Sequence, residues 1–263
     1  MLELVLISLA LIGSFVCGVI DLKTTEIPDE IPTAMALIGV LIWSFISLSK
    51  GELLPVFISA LVGTAYLTLG WFFYLTKQWG GGDAKLLAAI GYLLPIWVTD
   101  AVGILPFALA YLSNVFVVGL AYMIVYIILL GLARKKVRKI FWKDLQKYGL
   151  KILSILLFFS IVAYFLLPIW FIILVDFLSF SIFYSKSVEK YFFRVIPVSQ
   201  LKEGDVLAEG RIDGLTKEQV AELKRKGGKV RIKDGIRYGF VFFLSLVVTL
   251  LYGSVIELAV KLV

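Results

Sequence analysis

The chain has 263 residues, 60% of them hydrophobic and 17% charged, with a mean hydropathy of +0.97, whereas a soluble domain carries roughly 45–50% and 25%. Composition therefore indicates a polytopic membrane protein. There is no histidine, which excludes imidazole-based triads, histidine general bases and histidine metal sites. The one cysteine, Cys17, allows neither an intrachain disulfide nor a cysteine zinc site and reads as a small packing residue. The net charge of +7 comes from Lys and Arg beside apolar runs, without the aromatic platform that binds nucleic acid, so no nucleic-acid partner is expected.

The first apolar run, residues 3–20, has no basic residue ahead of it and no small-residue cleavage pattern after it. It reads as a retained span, not a cleavable signal peptide. Further runs at about 33–49, 54–75, 84–98, 107–133, 152–167, 169–185 and 238–259 are divided by Pro, Gly or charged residues. At about 20 apolar residues per crossing they predict about eight transmembrane helices, with six or seven as the alternative counts. Between Pro95 and Pro106, the stretch Ile96, Trp97, Val98, Thr99, Asp100 reads as an interfacial turn with Trp97 at the headgroups. As one helix, residues 152–185 would measure about 50 Å, too long for a hydrocarbon core of about 30 Å. A break at Pro168 is therefore predicted, the alternative being one helix kinked there and emerging into water.

Asn114, in the fifth run, reads as a helix–helix hydrogen bond. Asp176 lies near the middle of the seventh run, where a carboxylate costs about 2.5–3.5 kcal/mol. Its readings are a functional role, a pairing with a hydroxyl such as Ser160 or a tyrosine, or a place at the interface if residues 152–185 form one long helix.

Residues 186–237 read as a small soluble α+β domain. Arg194–Val198 and Lys229–Lys233 alternate as strands do, and Glu203, Gly204, Asp205 makes a turn. Thr216–Lys226 reads as a helix with a Thr216/Gln219 capping box, ended by Gly227 and Gly228. The expected organisation is thus an all-α membrane-embedded region over 1–185, the α+β domain over 186–237, and a C-terminal transmembrane helix over 238–263.

Orientation follows from Arg134, Lys135, Lys136, Arg138, Lys139, Lys143 and Lys147, read as the densest basic loop outside the tail domain and hence cytoplasmic. Counting back through five spans puts the N-terminus outside and the loops 21–32 and 76–83 inside. The break at Pro168 puts residues 186–237 inside as well.

Two carboxylates stand out against this background. Asp21 closes the first run, and Asp83 follows Gly80, Gly81 and Gly82 at the start of the fourth. Two crossings separate them, so both return to the inner face. Paired carboxyl groups a few ångströms apart cannot both ionise; one then acts as base and the other as acid in a hydrolysis that needs no metal and no cofactor. Glycines lacking Cβ let a neighbouring backbone approach closely. Helix ends favour an ionised Asp83, at a helix start, and a protonated Asp21, at a helix end. The first inner loop holds Asp21, Glu26, Asp29 and Glu30 against Lys23 alone, an acidic mouth suited to a Lys/Arg-rich peptide. Lys85 is a further candidate contact.

The run Gly80, Gly81, Gly82, Asp83, Ala84, Lys85, with Asp21 followed by Thr24, Thr25, Glu26, Ile27, Pro28, resembles the type IV prepilin peptidase family over roughly residues 1–133. It is closest in kind to the archaeal branch that processes preflagellins and prepilins. Residues 194–210 resemble the C-terminal domain attached to some archaeal members. The resemblance implies a GxGD membrane aspartyl protease with Asp21 and Asp83 as its catalytic dyad. Such an enzyme cuts a short basic leader from prepilin-like or preflagellin-like precursors, commonly after a glycine, at the cytoplasmic face of the plasma membrane. Expected partners are those precursors and the lipid bilayer, with Glu26, Asp29, Glu30 and Lys85 as candidate leader contacts. Bacterial members often add a tetracysteine zinc domain and methylate the new N-terminus; with Cys17 alone, this chain lacks that domain.

Three other readings compete. A presenilin or signal-peptide-peptidase type protease shares the GxGD idea, but its Pro-Ala-Leu motif is absent and Asp21 lies at a run's end. A cation or proton transporter would use Asp176 and the glycine run. A noncatalytic membrane scaffold would use its tail to recruit a partner.

Overall fold

The computed structural model describes residues 2–95, 106–164, 169–208 and 214–261. The turn expected around Trp97 and the break expected at Pro168 lie outside them. The described helices are α1 (Leu2–Thr24), α2 (Glu30–Lys50), α3 (Leu54–Leu75), α4 (Gly81–Leu93), α5 (Phe107–Ala133), α6 (Lys135–Tyr164), α7 (Ile169–Phe192), α8 (Lys217–Lys226), α9 (Phe240–Tyr252) and α10 (Val255–Lys261). The strands are β1 (Phe193–Pro197), β2 (Val206–Leu207) and β3 (Lys229–Lys233). They fall into two compact units, Met1–Tyr122 with Gly235–Val263 and Met123–Asp234, the boundary lying within α5.

In the first unit α4 is the packed centre, bordered by α1, α2 and α3. Its Leu86, Leu87, Ala89, Ile90 and Leu93 are fully buried, as expected of a helix that is apolar all round. Small residues let its neighbours close in: a Cβ on Gly70 of α3 would sit 2.7 Å from the Ala84 Cα. By length and composition α1, α2, α3 and α5 can cross a membrane, and the bent pair α9–α10 makes a fifth candidate. The described residues thus yield four or five candidate spans against the eight expected. One reason is that α4 has thirteen residues, a length of about 20 Å against a core of about 30 Å.

The last apolar run, expected as one helix over 238–263, is broken at Gly253, where α9 and α10 meet at 44°. Asn114 satisfies the freed backbone groups. Its Nδ2 donates to Thr249 Oγ1 at 2.9 Å and to the Gly253 carbonyl at 2.8 Å, and its Oδ1 accepts the Val255 N–H at 3.0 Å. This is the interhelical role expected of it. Asn114→Leu keeps the size and removes all three bonds, leaving buried polar groups unpaired at about 1–3 kcal/mol each. Thermal unfolding in detergent is expected to show a loss of about 2–5 kcal/mol, and an unchanged midpoint contradicts this account.

In the second unit the basic stretch expected as a loop is instead the first half of α6, a continuous helix of 30 residues. Lys, Arg, Gln and Leu are good helix formers, and the stretch contains no proline. Helix α7 runs antiparallel to α6: Asp144 pairs with Lys190, and Ser160 Oγ donates to Asp176 Oδ2 at 2.8 Å. Asp176 therefore has the hydroxyl partner foreseen for it. Asp144 takes Ser187 Oγ at 2.8 Å and Lys190 Nζ at 2.6 Å. Burial pushes its carboxyl up, but these two bonds outweigh burial and hold it below the ordinary carboxylate value.

Helix α7 continues to Phe192, and the sheet begins at Phe193, one residue before the strand start expected at Arg194. The sheet is antiparallel in the order β1-β3-β2, with Phe193 opposite Lys233 and Val206 opposite Lys233 on the other side. Val198, Leu201, Leu215, Val220 and Ile232 form its core. The Thr216/Gln219 box caps α8, and Gly227 at φ +69° ends it. Both strands read from the sequence are present. The two-residue β2 was not anticipated, being too short to show alternation.

Candidate functional site

The site assembles where α1 ends and α4 begins. Helix α1 stops at Thr25, whose φ of +65° turns the chain while its N–H still reaches the Asp21 carbonyl at 2.8 Å. The following residues cross the start of α4, where a Cβ on Gly82 would lie 2.7 Å from the Ile27 Cβ. Only glycine leaves room for that crossing. Gly80 has extended backbone and caps α4. Asp83, at the third helical position, accepts the Gly80 N–H at 2.9 Å, the backbone half of a capping box.

Both carboxylates are sequestered, Asp21 at 4% exposure and Asp83 at 9%, and they lie within electrostatic range of each other. The parity argument from sequence permitted this meeting. Each is held by one backbone donor, Asp83 by Gly80 and Asp21 by the Gly239 N–H at 2.8 Å. Arg237 is also within electrostatic range of Asp21. The contrast drawn from helix ends, Asp83 ionised and Asp21 neutral, thus loses its asymmetry, because Asp21 has equal backbone support and a guanidinium nearby.

Lys85 and Asp29, both expected as leader contacts, pair with each other at 2.5 Å. Their side chains are 41% and 63% exposed, so the pair is worth about 0–1 kcal/mol. Glu26 and Glu30 are exposed beside it. Gly81 packs beside Tyr74.

The segment leading into α9 was absent from the sequence-based site. Besides the Gly239 donor, it brings Tyr238 within electrostatic range of Asp83. The Tyr238 ring packs on Trp79 and Phe242 at centroid distances of 5.9 Å each. The overlooked signal is a repeated dipeptide: Trp79-Gly80 precedes α4 as Tyr238-Gly239 precedes α9. Asp176 lies in the other unit with its own partner. Among the described residues no three of His, Cys, Asp and Glu converge as metal ligands would.

Residues 8–133 match the family model described as the type IV leader peptidase family. That match covers just under half of the chain. The matched segment holds Asp21, Gly80, Gly81, Gly82, Asp83 and Lys85, whereas Tyr238 and Gly239 lie beyond it. The chain is 30% identical over 88 residues to the preflagellin peptidase of Methanococcus voltae, covering 34% of this chain and 37% of that protein. It is 32% identical over 84 residues to the preflagellin peptidase of Methanocaldococcus jannaschii, covering 32% and 36%. The matches thus span about a third of the length of these curated relatives. No solved structure matches the chain.

Proposed function

We propose that the chain is a membrane aspartyl endopeptidase that removes short basic leaders from preflagellin-like or prepilin-like precursors at the cytoplasmic face. The observation that carries this reading is the buried Asp21/Asp83 pair inside a type IV leader peptidase segment. Two such groups within mutual range cannot both hold a negative charge cheaply, so they share a proton. The ionised carboxylate takes a proton from a water molecule, whose oxygen attacks the scissile carbonyl. The neutral carboxyl donates a hydrogen bond to the carbonyl oxygen as negative charge develops there. Collapse of the tetrahedral intermediate breaks the C–N bond, and the amine leaves with a proton from the dyad. The N–H groups of Gly80 and Gly239 fix the two carboxylates so that little reorganisation is needed during the reaction.

The deciding experiment mixes the detergent-solubilised full chain with a precursor bearing a basic leader and follows the product by mass spectrometry. Leader removal lost in Asp83→Asn supports the peptidase. Cation flux in proteoliposomes without cleavage supports the transporter reading instead.

The exposed acids at the mouth bear on substrate choice. Reversing Glu26 and Glu30 to Lys replaces attraction of a basic leader by repulsion. The expected result is a KM raised about tenfold or more, with kcat little changed, and a smaller contrast at high salt where exposed charges are screened. An unchanged KM at low salt removes these residues from leader recognition.

A further inference from the structure

Net charge is not spread over this protein. Residues 134–151 hold eight Lys or Arg against Asp144 alone, equivalent to the whole chain's +7, and the remaining chain balances at 18 basic and 18 acidic residues. Five of the eight, Lys135, Lys139, Lys143, Lys147 and Lys151, recur at every fourth position of α6. They form a ladder that climbs the helix while winding about 40° round it at each step. All five are exposed, and among the described residues no carboxylate lies within ion-pair distance of them. Like charges four residues apart repel and weaken a helix. The segment's one acid, Asp144, is bound by Lys190 and Ser187 and reaches Lys147 only through a longer-range attraction.

Where the ladder ends, the helix surface changes character. Beyond Lys151, Leu153, Phe158 and Ile161 are more than half exposed, as are Ile173 and Ile182 on the antiparallel α7. A helix pair apolar on its outer surface in this way suits a bilayer's hydrocarbon. Tyr148, at 42% exposure, stands between Lys147 and Lys151 next to this boundary, the pairing of residue types found at headgroup level.

We propose that the α6–α7 hairpin binds anionic lipid headgroups through the lower rungs of this lysine ladder, with its apolar end in the hydrocarbon. The geometry grades the rungs. Lys151 stands at the boundary, and Lys147 and Lys143 follow at about 6 and 12 Å along the helix. Lys139 and Lys135 stand at about 18 and 24 Å. The polar layer of one leaflet is only about 5–8 Å deep, and lysine stems snorkel toward it. Lys147 and Lys151 therefore touch lipid phosphates, whereas Lys135 and Lys139 stand beyond a Debye length of about 8 Å. This is a binding site separate from the peptidase reading and does not depend on it.

The test equilibrates the purified full chain in detergent with equal amounts of phosphatidylglycerol and phosphatidylcholine, and reads the retained lipids by native mass spectrometry. The wild type is expected to favour phosphatidylglycerol by about tenfold or more, since each lysine near the surface is worth roughly fivefold. Lys147→Gln with Lys151→Gln is expected to cut that preference to about twofold or less. Lys135→Gln with Lys139→Gln removes the same charge and is expected to keep most of it, which controls for folding and net charge. Replacing Lys147 and Lys151 by Arg is expected to restore the preference. Equal retention of the two lipids by the wild type overturns the proposal. So does an equal loss from the near and far pairs, or displacement of phosphatidylglycerol by free glycerol phosphate at matching concentration, which marks a general anion site.

Discussion

Asp83→Asn is expected to reduce leader cleavage by at least about 10³-fold in kcat while leaving the chain folded, and Asp21→Asn to do the same. General acid–base groups contribute about 10²–10⁴-fold each, and a shared-proton pair works only as a unit. The double variant should therefore be no worse than either single one, the non-additivity expected of groups that act together. Asn is the informative replacement because its Oδ1 can still accept the Gly80 N–H, or at position 21 the Gly239 N–H. The backbone anchors survive and only the proton chemistry is lost. A further signature is the pH profile: acid protonates both carboxyl groups and removes the base, whereas alkali ionises both and removes the acid, so activity should fall on either side of a maximum. Either single variant retaining more than about a tenth of wild-type cleavage would falsify the dyad.

Gly239→Ala is expected to lower kcat by about ten- to hundredfold, although position 239 lies outside the family-matched segment and carries no side-chain chemistry. A Cβ there would come within 2.9 Å of Ile27 Cδ1, 3.0 Å of Asp21 Cβ and 3.2 Å of Asp21 Cγ. Carbon atoms prefer about 3.5–4.0 Å. The Ile27 methyl can rotate away. Asp21, close to its helix end and bound to the same residue's N–H, cannot move without stretching that 2.8 Å bond. Overpacking of this kind costs about 1–3 kcal/mol in stability, and displacement of a catalytic group by about 1 Å can cost about 10²-fold in rate. The useful comparison is Asn114→Leu, which weakens the structure about 20 Å along α9 from this point and is expected to spare kcat in the folded fraction. Full cleavage by folded Gly239→Ala would remove the α9 junction from the site.

The parity of Asp21 and Asp83 was legible because it depends only on the number of crossings between them. The α8 capping box and the strands at 194–198 and 229–233 were legible because local hydrogen-bond chemistry or strand alternation specifies each, whereas the Ser160 bond to Asp176 joins two helices. The basic stretch at 134–151 was misread as a loop because charge density bears on topology and not on backbone conformation, which here follows helix propensity.

Taken by itself, the sequence determined the membrane-compatible composition, the exclusion of histidine chemistry, and two acids able to return to one face. Tertiary structure decided how those acids are held. The Gly239 donor reaches Asp21 across 218 positions, and Tyr238 stands near Asp83. A backbone N–H carries no residue-specific signal, and its pairing across such a separation follows from the packing of α1 against α9, made close by glycines at the crossing.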